Sequence, residues 1–311
     1  MGKQNEQPSG LALLAPQYWP TWFGIFLLWL VVLMPVSWVM VLGRAIGRLG
    51  FHFAKKRRRI ADVNLQLCFP EWGECQRLQV LREHFEALGM GLFEIPMGWW
   101  VSSDRLQKLV CIEGLEHMEN AKQRGNGVIM LTAHFTSLEL GGRLLSYHAP
   151  FHTMYRQHDN PVVEKIMARN RVRWLDKAIP RDDVRSVIRS LKDNHAIWYA
   201  PDQNAQRKTA VFVDFFGQAA STSTGTARLA KLTKAAVVPY SIVRRDDGSG
   251  YNIVLEPALK DYPSDNLAED TQRINDLIEG WIRKKPAQYL WIHRRFRTRP
   301  TRGDPTPYDE A

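Results

Sequence analysis

Apolar and polar positions fall into three regimes along this chain. From Trp22 to Leu42 nearly every residue is apolar, and no charge occurs between Glu6 and Arg44. That run is long enough to cross a bilayer, which takes about 20 apolar residues. Tyr18, Trp19 and Trp22 at one end and Trp38 near the other suit the two interfaces, and Pro35 is expected to bend such a helix without breaking it. The run exceeds a signal-peptide core and its basic residues follow it, so it reads as a retained span, not a cleaved leader. Residues 60–122 read as helical: a short piece over 61–67, a longer amphipathic one over 75–100, and Pro70 as the boundary between them. From Gly127 the pattern alternates. Strands are predicted over 128–131, 152–155, 196–199, 236–243 and 251–255, and helices over 137–146, 161–174, 183–193, 222–234 and 268–284.

Alternation of this kind predicts an α/β fold, with a single N-terminal transmembrane helix followed by a layered domain whose central sheet is mainly parallel. The chain then divides into an N-terminal tail (1–16), a transmembrane anchor (17–43), a basic juxtamembrane and helical region (44–122), an α/β core (123–303) and a C-terminal tail (304–311) expected to fray.

Charge adds an orientation. The net charge of +10 over 311 residues favours anionic partners, and the basic residues cluster after the apolar run at Arg44, Arg48 and 55–59. Lys3 and Glu6 cancel on the other side, so the positive-inside rule places the body in the cytoplasm, on the inner face of a membrane. The same cluster can hold anionic lipid headgroups. A nuclear-import signal or an RNA patch fits poorly beside a membrane span, and no nucleic-acid partner is expected. Cys68, Cys75 and Cys111 form neither a CxxC pair nor an even set, which argues for reduced thiols and against zinc or disulfides.

Candidate chemistry gathers at the predicted carboxyl ends of strands. His134 follows the first predicted strand, and Glu139 lies five residues on, in the first turn of the next helix. On a continuous helix that spacing would turn the two side chains roughly 140° apart, but a strand-to-helix corner can fold them together. A carboxylate so placed would fix the imidazole tautomer and raise the basicity of its other nitrogen. With no nucleophile in the pair, a substrate hydroxyl would supply one. Thr136 and Glu139 also have the spacing of a capping box, in which Glu139 does no chemistry, and both readings stay open. Arg156 and Asp202 follow two other predicted strands, as site groups or as ordinary loop residues. Arg171 and Arg173 fall on one helix, where a solvated face explains them equally well. Residues 221–226 could cradle an anion or simply cap a helix. Arginines interleaved with Trp291 and Phe296 could meet phosphates while the rings enter lipid or stack on bases.

Several ordered motifs together resemble the lipid A biosynthesis late acyltransferases, also called lauroyl/myristoyl acyltransferases. They are His134-Phe135-Thr136-Ser137-Leu138-Glu139, Tyr155-Arg156, Tyr199-Ala200-Pro201-Asp202-Gln203, Val211-Phe212-Val213-Asp214-Phe215-Phe216-Gly217 and the run from Gln288 to Phe296. The resemblance implies an inner-membrane enzyme moving an acyl chain from acyl carrier protein to the 3-hydroxyl of a hydroxyacyl chain on a lipid A precursor. It implies that His134 is the base and Glu139 its partner, with Arg156, Arg171, Asp202, Arg294 and Arg295 meeting substrate, although Arg173 offers a second register for the arginine. It implies no metal and no cofactor, acyl carrier protein being a co-substrate. The related glycerol-phosphate acyltransferases carry an EGTR-type phosphate motif, where this chain has Pro201-Asp202-Gln203. An acyltransferase for another lysophospholipid or glycolipid, or a membrane-tethered binder of anionic ligands without chemistry, are the alternatives.

Overall fold

Pro35 does more than bend the apolar stretch. In the computed structural model, which describes residues 10–309, the stretch is two helices, α1 (Trp19–Val32) and α2 (Val36–Phe53), separated at Leu33, Met34 and Pro35. Proline lacks the N–H that would continue the ladder and clashes with the preceding turn. With 14 residues, α1 is about 21 Å long at ~1.5 Å per residue, short of the ~30 Å of bilayer hydrocarbon. Helix α2 turns its apolar stripe, Val39, Met40, Gly43, Gly47 and Phe51, into the protein. Among the described residues no helix is long and apolar enough to cross a membrane. The expected transmembrane anchor is therefore corrected, and the single-pass inner-membrane placement loses its basis with it. Lys3 and Glu6, used for the orientation, lie outside the described residues.

What α2 packs against is α4 (Glu74–Trp100), and glycine sets the distance between them. A Cβ on Gly47 would stand 2.2 Å from the Phe85 carbonyl oxygen, and one on Gly89 2.1 Å from that of Gly43. Between these helices lies α3 (Lys55–Cys68), and after them α5 (Ser103–Gln107), β1 (Val110–Glu113) and α6 (Leu115–Lys122). Strand β1 corrects the all-helical reading of 60–122. Four residues at a sheet edge, with a half-exposed burial pattern, are too short to show a strand period.

The remaining elements alternate as expected: β2 (Val128–Leu131), α7 (Leu138–Leu145), β3 (His152–Tyr155), α8 (Pro161–Trp174), β4 (Lys177–Pro180), α9 (Val184–Lys192) and β5 (Ala196–Tyr199). A hairpin of β6 (Ala210–Phe215) and β7 (Gln218–Ser223) follows, then α10 (Gly225–Thr233), β8 (Ala236–Arg244), β9 (Tyr251–Leu255) and α11 (Leu267–Lys284). Seven strands form one sheet in the order β1-β9-β8-β2-β5-β3-β4. All neighbours are parallel except β8 and β9, so the sheet is mainly parallel as expected. Strand β2 sits at its centre with all four residues buried. Ile129 and Leu131 face the cluster containing α3, α9, α10 and α11, while Val128 and Met130 face the one containing α2, α4, α6 and α7. The chain end also joins the core: Tyr308 is buried, donates to Asn64 Oδ1 at 2.6 Å and accepts from the Phe296 N–H at 3.1 Å, where fraying was expected.

Candidate active site

Neighbouring parallel strands end together, and two ends here carry the reactive groups. β2 and β5 pair with Leu131 opposite Tyr199, and the Thr132 N–H extends the ladder to the Tyr199 carbonyl at 3.0 Å. His134 and Asp202 each lie three residues beyond that last pair, so the register itself delivers them side by side. His134 Nδ1 is 2.6 Å from Asp202 Oδ1, and the His134 backbone N–H donates to Oδ2 at 3.1 Å. With the carboxylate as acceptor, Nδ1 holds the proton and Nε2 keeps a free lone pair. The Asp202 side chain is 1% exposed and that of His134 28%, so the acid is sealed while the imidazole remains reachable.

Burial alone would lower the His134 pKa, but the charge and hydrogen bond of Asp202 oppose it and the net effect is a rise. Burial would raise Asp202, yet the His134 charge, its hydrogen bonds and one from Tyr289 hold it down at about 2. The carboxylate therefore stays ionised throughout the neutral range, a fixed charge behind the ring.

Glu139, expected to align the imidazole, bonds elsewhere. It is the second residue of α7, 45% exposed, and accepts from Arg171 Nη2 at 3.4 Å. Its charge still registers at His134, but the hydrogen bond to the ring belongs to Asp202. Nor does a capping box form: the N-cap, Ser137, has no side-chain cap bond, and Thr136 Oγ1 accepts from Arg244 Nη1 at 2.8 Å. Of the two arginine registers, Arg171 reaches Glu139, whereas Arg173 is exposed and lies over the Trp174 ring. Arg171 is mostly buried, with its Nη1 unpartnered. Together with Glu139 it borders a largely apolar cavity lined by Ile95, Trp99, Phe151 and Trp198.

The loop carrying His134 is held from beneath. The Leu290 N–H donates to the His134 carbonyl at 2.9 Å and the Thr136 N–H to the Gln288 carbonyl at 2.8 Å, so 288–290 runs as a splint along 134–136. That leaves the Thr136 amide engaged with backbone. Arg244 at the end of β8 ties the splint to the helices: its backbone and Gln288 exchange two hydrogen bonds, and its guanidinium makes a two-bond pair with Glu94 on α4. Tyr251 donates to the same Glu94 carboxylate at 2.6 Å. Glu94, Arg244, Tyr289 and His293 were not singled out from the sequence as site residues. The one available hint was a charge inside an otherwise apolar stretch of α4.

The other expected site residues divide. Arg156 is exposed and pairs with Asp159 at 3.4 Å. Arg295 is buried, donating to the Ser221 carbonyl at 2.9 Å and to Thr222 Oγ1 at 2.6 Å. With those bonds made inside the core it cannot clamp a phosphate, and it also occupies part of the proposed cradle over 221–226, the first half of which is the end of strand β7. Arg294 is only half-buried and lines a cavity with residues of α3.

An imidazole backed by a sealed carboxylate at the strand ends of an α/β sheet, with an apolar cavity near it, is the equipment of a general-base enzyme whose substrate has a hydrocarbon part. Comparison with known proteins gives the family: the model of the bacterial lipid A biosynthesis acyltransferases matches residues 8–298, and the chain belongs to that family. It is 40% identical over 288 residues to the lipid A biosynthesis palmitoleoyltransferase of Escherichia coli K12, covering 92% of this chain and 94% of that one. Against the lauroyltransferase of the same organism it is 37% identical over 298 residues, 96% and 97% of the two chains, and against the myristoyltransferase 28% over 299 residues, 94% and 91%. The chain is thus an acyltransferase of lipid A biosynthesis acting in late acyl transfer.

Proposed function

We propose that the chain moves an acyl group from the thioester of acyl carrier protein to the 3-hydroxyl of a hydroxyacyl chain on a lipid A precursor of the Kdo2-lipid IVA type. His134 Nε2 removes the hydroxyl proton as the oxygen attacks the thioester carbon. Asp202 stabilises the imidazolium that develops. Collapse of the tetrahedral intermediate breaks the C–S bond, and the imidazolium returns its proton to the departing thiolate, leaving base and enzyme unchanged. Arg171 is the cationic donor for the oxyanion, steadied by Glu139. The apolar cavity beside this pair, about 50 Å³, is the point where hydrocarbon from one of the two substrates enters as the side chains around it part.

The observation that carries this reading is the 2.6 Å contact between His134 and Asp202, which leaves Nε2 free. His134→Ala in the full chain should abolish transfer from acyl carrier protein to the precursor while the fold is retained by circular dichroism. Turnover within a factor of about ten of wild type would refute the role, since a general base is worth about 10²- to 10⁴-fold. An acceptor panel including lysophospholipids tests the choice of hydroxyl.

A further inference from the structure

The first turn of α3 is built against its own dipole. Lys55, Lys56, Arg57, Arg58 and Arg59 are consecutive, no acidic residue lies in that turn, and the N-cap contributes no side-chain bond. Cations at a helix N-terminus are unfavourable, where an anion would be stabilised. The cluster does not stand alone. Lys55, Lys56 and Arg59, with Ile60, form one wall of a cavity of about 340 Å³ whose other wall is Arg294 and Tyr308, from the far end of the chain. No carboxylate lines it, and among the described residues none of its four cations is in an ion pair. The nearby Asp309 already accepts from the Thr306 N–H. The walls are held in place: Tyr308 donates to Asn64 on α3, and Asn64 Nδ2 donates to the carbonyls of Trp291 at 2.6 Å and His293 at 2.8 Å.

We infer that this cavity is a phosphomonoester site. Four cations line one recess without an ion pair, and the one carboxylate whose field reaches Arg294, that of Asp309, leaves them an excess of positive charge that suits an anion of high charge density. The volume lies at the lower end of the ~300–1,000 Å³ typical of small-ligand sites, and such a recess suits a compact headgroup better than the broad face of an acidic protein. Position supports a substrate role, an extension that rests on the function proposed above. Arg294 directly follows His293, whose pKa is lowered to about 4 by burial first, against the opposing field of Asp202 and with the positive fields of His134, Arg295 and Arg57 adding to the fall. The segment therefore links the reacting imidazole to the cationic cavity, so a phosphate seated there would orient an acceptor whose hydroxyl reaches His134.

The test uses the full chain with Arg59→Gln, Arg294→Gln and the double variant, all at surface or half-buried positions. Inorganic phosphate titrated by calorimetry should bind the wild type and bind the double variant at least about tenfold more weakly, as loss of charge-assisted hydrogen bonds requires. No binding to wild type, or equal binding to both, overturns the proposal. This readout needs no turnover. If the wild type binds phosphate but never acylates a lipid A precursor, the site stands and the functional reading falls. Kinetics then identify the source of the phosphate. A KM rise of about tenfold for a bisphosphorylated acceptor, absent for the acceptor lacking one phosphate, supports the acceptor as source. Lost binding of phosphatidic acid in detergent micelles, with acceptor KM unchanged, supports a lipid headgroup. A rise confined to the KM for acyl carrier protein makes the surface a protein dock and overturns the phosphate assignment.

Discussion

Asp202 stands 68 residues from His134 in the chain and 2.6 Å from it in space. A base works deprotonated, so kcat/KM should climb with pH through the His134 pKa. Because that pKa is raised, the acidic limb should lie above 6.5. Asp202→Asn removes the charge that holds the proton on the ring and leaves the opposing effect of burial, so the limb should move to lower pH. The rate should fall about 10²- to 10⁴-fold, as loss of the group orienting a catalytic histidine does. Glu139→Gln provides the contrast, since Glu139 acts on the ring only through its field. Its pH limb should stay within a few tenths of wild type, measured in the same pH series. A large shift in Glu139→Gln with none in Asp202→Asn would return the aligning role to Glu139.

The helices carry their own tests. Gly47 and Gly89 let the backbones of α2 and α4 touch, and a side chain at either has only backbone to displace. Gly47→Val should destabilise the fold by at least about 1–3 kcal/mol, the usual cost of overpacking, read from the urea midpoint. Glu94 and Arg244 are both almost wholly buried, so Glu94→Ala strands a cation in the core and should cost about 3–5 kcal/mol. The same variant should loosen the splint at 288–290 and with it the loop bearing His134. Replacing both residues by apolar ones of similar volume should recover much of the stability. It should not recover activity, because the tie to Thr136 is gone.

Across the whole molecule the charge balance is +10, and carrier protein is acidic in the proposed reaction. Association steered by such a field weakens with ionic strength. The kcat/KM for acyl carrier protein should therefore fall several-fold between about 50 and 300 mM salt, as screening shortens to less than ~10 Å. An uncharged short acyl thioester should show little of that dependence. A salt response equal for both donors would remove steering from the account.

Much of this was legible in the residues, for reasons that are local. The alternation after Gly127 placed five of the sheet's strands and the intervening helices, because burial on both faces produces short apolar runs whatever the strand's neighbours are. It also put His134 and Asp202 at strand ends. The edge strands β1 and β4 and the hairpin β6–β7 escaped, since strands that are largely part-exposed carry no clear apolar run. The apolar run over 22–42 misled in the other direction. Hydropathy counts carbon and cannot tell a lipid-facing helix from one packed on α4, and the stop at Pro35 became decisive only once α2 had a protein surface to bury against.

What the chain determined alone was the class of its parts: helices, strands, a basic face, and reactive side chains at strand ends. Which carboxylate serves the imidazole was decided by strand order, since β5 lies beside β2 although α7, β3, α8, β4 and α9 separate them in sequence. Glu139, five residues away, lost to Asp202 because a parallel ladder aligns strand ends to within a hydrogen bond, whereas a strand-to-helix corner leaves the direction of the next side chain free. Pairing between distant segments is a property of the packed sheet, and no local pattern encodes it.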